Sequence, residues 1–241
     1  MEERYKKNIG SVITEESQEK ILTKTFGIIG CGGNGGYIAE YLARLGAKKI
    51  IIYDGDRYEE SNLNRQVFCN SETIGLYKVD AAFEELIKIN PAIEYEIHAE
   101  YFGDKEEHAE NLLQCDIIFW AADYTKNAEN LVNAMLKIYE KKDIPTIITG
   151  VIKNGFHVSV FTKRSLSEFK KYCQNFISWF SLPEEMQVVS QPAYLCSLVA
   201  SFSVSLIEKI WSKLPYRAFN KCFVFDIEKN EFSTSFTEGV L

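Results

Sequence analysis

The stretch Gly30-Cys31-Gly32-Gly33-Asn34-Gly35-Gly36 decides the fold of this 241-residue chain. It follows the apolar run Thr25-Phe26-Gly27-Ile28-Ile29 and precedes residues that repeat at helical spacing, namely Ile38, Tyr41, Leu42 and Leu45. A strand, a Gly-x-Gly-x-x-Gly turn (Gly30, Gly32, Gly35) and a helix bring backbone amides to a phosphate at the helix N-terminus. An empty tight turn is the alternative, but this context favours a nucleotide. The motif does not choose between NAD, FAD and ATP.

Strand and helix patterns alternate over the first 150 residues. The predicted strands lie at 25–29, 50–53, 93–98, 116–120 and 145–148, and most of them are apolar runs. The predicted helices lie between them, ending at Gly46, at Asn90-Pro91, at Leu113 (after a cap at Asp104) and at Tyr139. Continuous apolar strands separated by amphipathic helices are typical of a parallel sheet covered on both faces.

After Gly150 the pattern changes. Residues 155–161 alternate in polarity, and 222–236 indicate two strands around a Lys229-Asn230 turn, so antiparallel pairing is expected at the far edge. Residues 165–190 show no strong period and are interpreted as a crossover loop or lid. The predicted fold class is α/β: a Rossmann-like doubly wound sheet, parallel in the first half and antiparallel in the second.

We expect one domain over residues 1–241, with a soft boundary near residue 150. Its parts are an N-terminal helical arm with a dimerisation role (1–24), a nucleotide-binding half (25–150), and an antiparallel half with the crossover segment (151–241).

Composition excludes few classes of function. The chain is 46% hydrophobic and 25% charged, which is ordinary for a soluble globular protein, and its net charge of -7 argues against a nucleic-acid surface. The charged segment Met1–Lys7 is not followed by an apolar stretch like that of a signal peptide. The most apolar helix candidate, 195–211, carries Glu208 and Lys209, so a core helix is predicted rather than a membrane span. We therefore expect no membrane association and a cytoplasmic location.

The six cysteines are scattered and none forms a Cys-x-x-Cys pair. A disulfide framework is therefore not expected. No structural zinc is expected either, because a tetrahedral zinc site needs paired thiolates.

Two further segments refine the nucleotide prediction. Asp54 ends the second predicted strand, where an acid accepts ribose hydroxyls. Downstream lie Ser61-Asn62-Leu63-Asn64-Arg65-Gln66 and Ile74-Gly75-Leu76-Tyr77-Lys78. Together with the glycine turn, these segments resemble the ThiF/MoeB/HesA family, the bacterial relatives of the ubiquitin-activating E1 enzymes. The similarity runs from Arg4-Tyr5 to the apolar helix after Pro192 and is densest over residues 1–125.

The resemblance implies a Rossmann-like sheet that turns antiparallel and an E1-like enzyme that adenylates a carboxylate. In such enzymes a substrate oxygen attacks the α-phosphate of ATP and magnesium pyrophosphate leaves, so the site works by positioning and charge neutralisation.

The resemblance also assigns individual residues. Asp54 would hold the ribose, and Asn62, Arg65 and Gln66 would line the phosphates with the turn glycines Gly30, Gly32, Gly33 and Gly35. Lys78 would place a compact charge near the α-phosphate. Asp123 would orient Mg²⁺, which prefers carboxylate and phosphate oxygens. Asp56 is a second, weaker acidic candidate.

Two positions depart from the family pattern. Lys7 stands where relatives carry an arginine that reaches into the neighbouring subunit's ATP site, so a homodimer with Lys7 acting in trans is expected, and a solvated Lys6-Lys7 pair is the alternative. The family's paired zinc cysteines are missing. Cys173, beside Lys170 and Lys171, is the candidate nucleophile, and an incidental cysteine is the alternative.

The predicted function is ATP-dependent adenylation of the C-terminal glycine of a small ubiquitin-like or sulfur-carrier protein. Activation of a peptide, amide or modified-nucleoside carboxylate is the first alternative. A non-catalytic nucleotide-binding partner protein and an NAD-dependent oxidoreductase are two others, although the oxidoreductase offers no role for Arg65 and Lys78.

Overall fold

The computed structural model describes residues 2–122, 128–152, 155–180, 190–211 and 221–236. Within these ranges the strands form one sheet in the order β3-β2-β1-β4-β5-β6-β7-β8. The strands are β1 (Thr25–Ile29), β2 (Lys49–Tyr53), β3 (Glu94–His98), β4 (Ile117–Trp120), β5 (Thr146–Ile152), β6 (Gly155–Phe161), β7 (Lys221–Asp226) and β8 (Glu231–Phe236).

Helices connect most of the strands. They are α1 (Glu15–Ile21), α2 (Gly33–Leu45), α3 (Lys78–Ile89), α4 (Glu106–Leu112), α5 (Ala128–Lys141), α6 (Leu166–Phe180) and α7 (Ala193–Trp211). Short 3-10 turns lie at Glu3–Tyr5, Glu60–Asn62 and Lys163–Ser165.

The sheet changes from parallel to antiparallel at the β5–β6 pair. Strands β1 to β5 pair in parallel, with Gly27 opposite Ile118 between β1 and β4. From β6 onward the pairs are antiparallel, with Gly150 opposite His157. The predicted fold class is therefore confirmed, and the sheet continues without a break past residue 150.

Each face of the sheet carries its own hydrophobic core, because neighbouring residues of a strand point to opposite faces. Ile28 belongs to the core that α2, α3 and α7 cover, whereas Ile29 belongs to the core under α4, α5 and α6. Every residue of β1 is buried, as expected for a central strand covered on both sides.

Helix α7 is long and apolar enough, by length and composition, to cross a membrane, with a mean hydropathy of 1.4. In the fold it is a core helix, as predicted, because Leu195, Val199 and Ile207 are buried against α2 and the sheet. A hydrogen bond of 2.8 Å between the Tyr41 hydroxyl and Ser197 Oγ also joins α7 to α2.

Two predictions about local structure were wrong. The segment 165–190 is not irregular at its start, because α6 occupies Leu166–Phe180. Asp104 does not cap α4, whose N-cap is Lys105 and makes no side-chain capping bond. The helix begins one residue later than a cap at Asp104 would require. The acids Glu106 and Glu107 lie in its first turn, where they interact favourably with the helix dipole.

Candidate nucleotide site

The glycine turn brings the end of β1 and the start of α2 into direct contact. Gly30 has a φ of 92° and donates its N–H to the carbonyl of Tyr53 over 2.8 Å. A Cβ on Gly30 would lie 2.9 Å from backbone atoms of Ala121, and one on Gly35 would lie 1.8 Å from the Gly30 carbonyl oxygen. Glycine is therefore required at both positions for the helix to begin directly over the strand.

The N-terminus of α2 is suited to an anion. Its N-cap is Gly32, which has no side chain to accept hydrogen bonds from the first-turn amides. A Cβ on the next residue, Gly33, would lie 2.9 Å from Cys196 Sγ, so the start of α7 lies directly against the turn. Amides at a helix N-terminus, with the positive end of the helix dipole, form a phosphate site.

Asp54 joins the turn to the loop that follows β2. Its Oδ2 accepts the backbone N–H of Cys31 at 2.6 Å, and its Oδ1 accepts that of Asp56 at 2.8 Å. The side chain is buried, and burial raises the pKa of Asp54, while the nearby charge of Lys78 and the two amide hydrogen bonds oppose that rise. Since each carboxylate oxygen has more than one lone pair, Asp54 can also accept ribose hydroxyls.

Asn62 lies in the short turn that carries the predicted phosphate residues. It is buried, and its Oδ1 accepts the Glu59 N–H at 3.1 Å in a capping box. Its Nδ2 lies 3.3 Å from Ser61 Oγ. The amide of Asn62 therefore shapes this turn.

Arg65 lies beside the glycine turn. Its Nη1 donates to the Ser61 carbonyl at 2.6 Å and to Asn64 Oδ1 at 2.9 Å, and its Nε donates to Gln191 Oε1 at 3.0 Å. Its Cδ lies 3.8 Å from the point that a Cβ on Gly33 would occupy. The fold thus places Arg65 next to the turn. Gln191 was not predicted, because no sequence pattern relates it to Arg65.

Two side-chain oxygens near the turn are buried without a hydrogen-bond partner among the described residues: Gln66 Oε1 and Asn34 Oδ1. The Gln66 side chain lies beside the turn: a Cβ added to Gly32 would be 3.7 Å from its Nε2, an ordinary van der Waals distance. An unsatisfied buried acceptor costs about 1–3 kcal/mol, so such atoms require a donor from water or from a ligand. They therefore fit a ligand that brings hydroxyl or amino groups to the turn.

Lys78 begins α3, and its side chain is only 9% exposed. Its Nζ donates to Asp56 Oδ2 at 2.8 Å, while the hydroxyl of Tyr101 donates to Asp56 Oδ1 at 2.6 Å. The Tyr101 ring lies against Gly55, where a Cβ would come within 2.9 Å of it. Tyr101 was also missed at the level of sequence, since it lies in a loop beyond β3 and belongs to no motif.

Asp123, the predicted magnesium ligand, lies outside the described residues. The chain reaches it through Ala121 and Ala122, whose backbone lies against Gly30. In the part of the chain that the structure describes, no group of three His, Cys, Asp or Glu side chains is arranged to hold a metal ion. Lys7 is exposed in the N-terminal arm.

Cys173 does not have the surroundings of the predicted nucleophile. It is 2% exposed on α6, within the core formed with α4 and α5. Burial raises the pKa of its thiol to about 12, and both Lys170 and Lys171 are exposed instead of lying beside the sulfur in the core. These surroundings favour the alternative, an incidental cysteine, because a buried thiol with a raised pKa remains protonated at neutral pH.

Taken together, the site combines a helix N-terminus and two cations, Arg65 and Lys78, with the acid Asp54. Burial raises the pKa of both Asp54 and Cys69. The charge of Lys78 opposes that rise at both groups, and the charge of Arg65 opposes it at Cys69. Such an arrangement binds a polyphosphate at the positive groups and a sugar hydroxyl at the acid.

Comparison with known proteins agrees with this geometry. The chain is 42% identical over 80 residues to the ubiquitin-like modifier-activating enzyme 5 of Caenorhabditis elegans, an alignment that covers 33% of this chain and 19% of that protein. Against the same enzyme of Gallus gallus the identity is 44% over 80 residues, covering 33% of this chain and 20% of the other. The chain thus spans a small part of the length of these relatives.

Solved structures share the fold over more of the chain. Escherichia coli MccB with succinimide has a TM-score of 0.76 at 21% identity, covering 98% of this chain and 72% of that one. PaaA has a TM-score of 0.72 at 23% identity, covering 91% and 66%. MccB has also been solved with ATP, at a TM-score of 0.72, and with AMPCPP and MccA, at a TM-score of 0.71. Both have 21% identity and cover 91% of this chain and 65% of that one.

A family model matches nearly the whole sequence, from residue 5 to residue 238. The chain belongs to the ThiF family.

Proposed function

We propose that this protein is an ATP-dependent adenylyltransferase. A carboxylate oxygen of the acceptor attacks the α-phosphorus of ATP, forming a new P–O bond as the bond from the α-phosphorus to the bridging oxygen breaks. The products are an acyl adenylate and pyrophosphate. The observation that carries the proposal is the convergence of the uncapped N-terminus of α2 with Arg65, Lys78 and the buried acid Asp54.

Each group has a role in that reaction. Asp54 accepts ribose hydroxyls, Arg65 offers its guanidinium to phosphate oxygens, and Lys78 places an ammonium near the α-phosphate. Their preorganised charge stabilises the negative charge that builds up on the leaving group. Hydride transfer to or from NAD would give these two cations no role at the reacting atoms.

Magnesium and a second subunit complete the proposal. Asp123 would hold Mg²⁺, which supplies charge neutralisation at the polyphosphate. Lys7 is exposed in the N-terminal arm, as a residue that reaches a partner's site must be. We therefore propose a homodimer with Lys7 acting in trans.

For the acceptor, we favour the C-terminal glycine carboxylate of a small ubiquitin-like or sulfur-carrier protein. Support comes from the 42–44% identity, over 80 residues, with ubiquitin-like modifier-activating enzyme 5 from two organisms.

A peptide carboxylate is the second candidate. Support comes from the likeness of fold, over 91% of this chain, to the MccB structure that contains AMPCPP and MccA. An amide or a modified-nucleoside carboxylate is a further acceptor within this alternative.

Nucleotide choice is the first test. Purified protein should be titrated by calorimetry with Mg-ATP and with NAD, in wild type and in Lys78→Ala and Arg65→Ala variants. Mg-ATP should bind, about tenfold more weakly in either variant. Lys88→Ala is the matched control for Lys78→Ala. Lys88 lies on α3, the helix that begins at Lys78, but it is 64% exposed and pairs with Glu85. Binding of NAD in preference to Mg-ATP would refute the proposal.

Acceptor choice needs a second test. Candidate carrier proteins and free peptides should be incubated with the enzyme, Mg-ATP and hydroxylamine, which converts an acyl adenylate into a stable hydroxamate. Mass spectrometry should find the hydroxamate at the C-terminal glycine of a carrier. If hydroxamates form only on peptides or small molecules, the carrier-protein acceptor is refuted and the second candidate is supported.

A further inference from the structure

We propose that Asp56 and Tyr101 position Lys78 toward the triphosphate and that neither binds the sugar of the nucleotide. This inference rests on the proposed function, because it concerns groups that act through the phosphate-binding lysine. It assigns Asp56 a different role from that of Asp54, although the two acids are only one residue apart.

The contacts of Asp56 point toward the lysine. Its Oδ2 accepts Lys78 Nζ at 2.8 Å, and its backbone carbonyl accepts the Lys78 N–H at 3.0 Å. Asp56 thus holds both ends of Lys78: the first amide of α3 and the ammonium group. An ammonium group has three donors, so one lysine can donate to a carboxylate and to a phosphate oxygen at the same time.

Tyr101 fixes the carboxylate that holds the lysine. Its hydroxyl donates to Asp56 Oδ1 at 2.6 Å, so the two oxygens of Asp56 accept from two different side chains. The ring is held in turn by Gly55, because a Cβ at that position would lie 2.9 Å from three ring carbons. With both oxygens engaged, the carboxylate has one orientation.

The same loop connects this set of contacts to the sugar side of the site. The Asp56 N–H donates to Asp54 Oδ1 at 2.8 Å, and Asp54 Oδ2 accepts the N–H of Cys31 in the glycine turn. The backbone of Asp56 therefore faces the ribose acid, while its side chain faces the lysine. A long flexible lysine loses affinity when it must be ordered during binding, and preordering by Asp56 and Tyr101 removes that cost.

Calorimetry with two probes tests the assignment. The protein should be titrated with Mg-AMPCPP and with adenosine, which has no phosphate. In Asp56→Asn the affinity for Mg-AMPCPP should fall about tenfold, and in Tyr101→Phe about threefold, while adenosine affinity stays within about twofold of wild type. Asp56→Asn combined with Lys78→Ala should bind no more weakly than Lys78→Ala alone.

Glu85→Gln is the matched control, since it removes a carboxylate that lies 2.8 Å from Lys88 Nζ on the same helix. It should leave both affinities unchanged. Thermal denaturation should be measured for each variant to check that it folds. If Asp56→Asn does not fold, Tyr101→Phe provides the test.

Three outcomes overturn the inference. Equal losses for adenosine and Mg-AMPCPP in Asp56→Asn would mean that Asp56 binds the sugar. Additive losses in the double variant would mean that Asp56 acts independently of Lys78. Wild-type protein that binds adenosine but not Mg-AMPCPP would instead refute the proposed function itself, and this inference with it.

Discussion

The backbone N–H of Cys31 donates to Oδ2 of Asp54 over 2.6 Å, which ties the glycine turn to the end of β2. The other carboxylate oxygen accepts the Asp56 N–H at 2.8 Å. One buried side chain therefore holds two backbone segments, and both lie where the nucleotide is proposed to bind.

Replacing Asp54 by Asn should destabilise the fold as well as weaken nucleotide binding. An asparagine has only one oxygen, so its NH₂ group would face one of the two backbone donors. We expect the free energy of unfolding, measured in urea at neutral pH, to fall by about 2 kcal/mol.

Asp226→Asn is a matched control for that substitution. Asp226 also accepts two backbone amides, from Glu228 and Lys229, but both reach the same oxygen, Oδ1. An asparagine there keeps its acceptor and should cost less than about 0.5 kcal/mol. Equal losses in the two variants would contradict this account of Asp54.

Gly35→Ala tests the contact between β1 and α2. The new methyl group would lie 1.8 Å from the Gly30 carbonyl oxygen, so the helix must move away from the strand. We expect a loss of about 3 kcal/mol or more in the free energy of unfolding, together with loss of Mg-ATP binding. Gly10→Ala should have little effect on either, because nothing lies within 4 Å of its added Cβ. A stable Gly35→Ala protein that binds Mg-ATP normally would refute the close approach.

The buried imidazole of His157 should make stability depend on pH. Burial lowers its pKa to about 4, below the ordinary value of 6.5, so the folded state binds a proton less readily than the unfolded state. This contribution to stability is complete above pH 6.5 and is lost as pH falls from there to about 4. Over that window the wild type should lose up to about 3 kcal/mol relative to His157→Phe. Parallel curves of unfolding free energy against pH for the two proteins would contradict the prediction.

The buried position of Cys173 predicts that catalysis does not need its thiol. Cys173→Ala should keep adenylation at the wild-type rate and lose about 1–2 kcal/mol of stability, because a small cavity forms under α6. Rates should be measured at saturating Mg-ATP and acceptor. Loss of the reaction in a stably folded Cys173→Ala protein would restore the nucleophile hypothesis.

The parallel half of the fold was predictable because its signals are local. Strands β1, β2, β4 and β5 follow mostly apolar runs, and the Gly30–Gly36 turn is typical of a strand-to-helix junction. The start of the antiparallel half was also visible, in the alternation of residues 155–161. Helix α6 was missed although its buried side chains recur every three or four residues, at Phe169, Tyr172, Cys173 and Phe176. Polar residues between them hid that period.

The site was predictable only in part because several of its contacts join distant segments. Arg65 and Lys78 belong to recognisable sequence motifs. In contrast, Gln191 is 126 positions from its partner Arg65, and Tyr101 is 45 positions from its partner Asp56. Only the folded chain brings such pairs together. The burial of Cys173 was equally hidden, since its neighbours Lys170 and Lys171 occupy the solvent side of the same helix.

The most direct test of the central claim is to identify the products of ATP turnover by ³¹P NMR. Purified wild-type protein should be incubated with Mg-ATP and a mixture of carrier proteins and peptides with free C-terminal carboxylates, with Lys78→Ala as the inactive comparison. The account predicts pyrophosphate together with AMP or an acyl adenylate, because the α-phosphate is the electrophile. Formation of ADP and inorganic phosphate by the wild type, at a rate that Lys78→Ala abolishes, would contradict it.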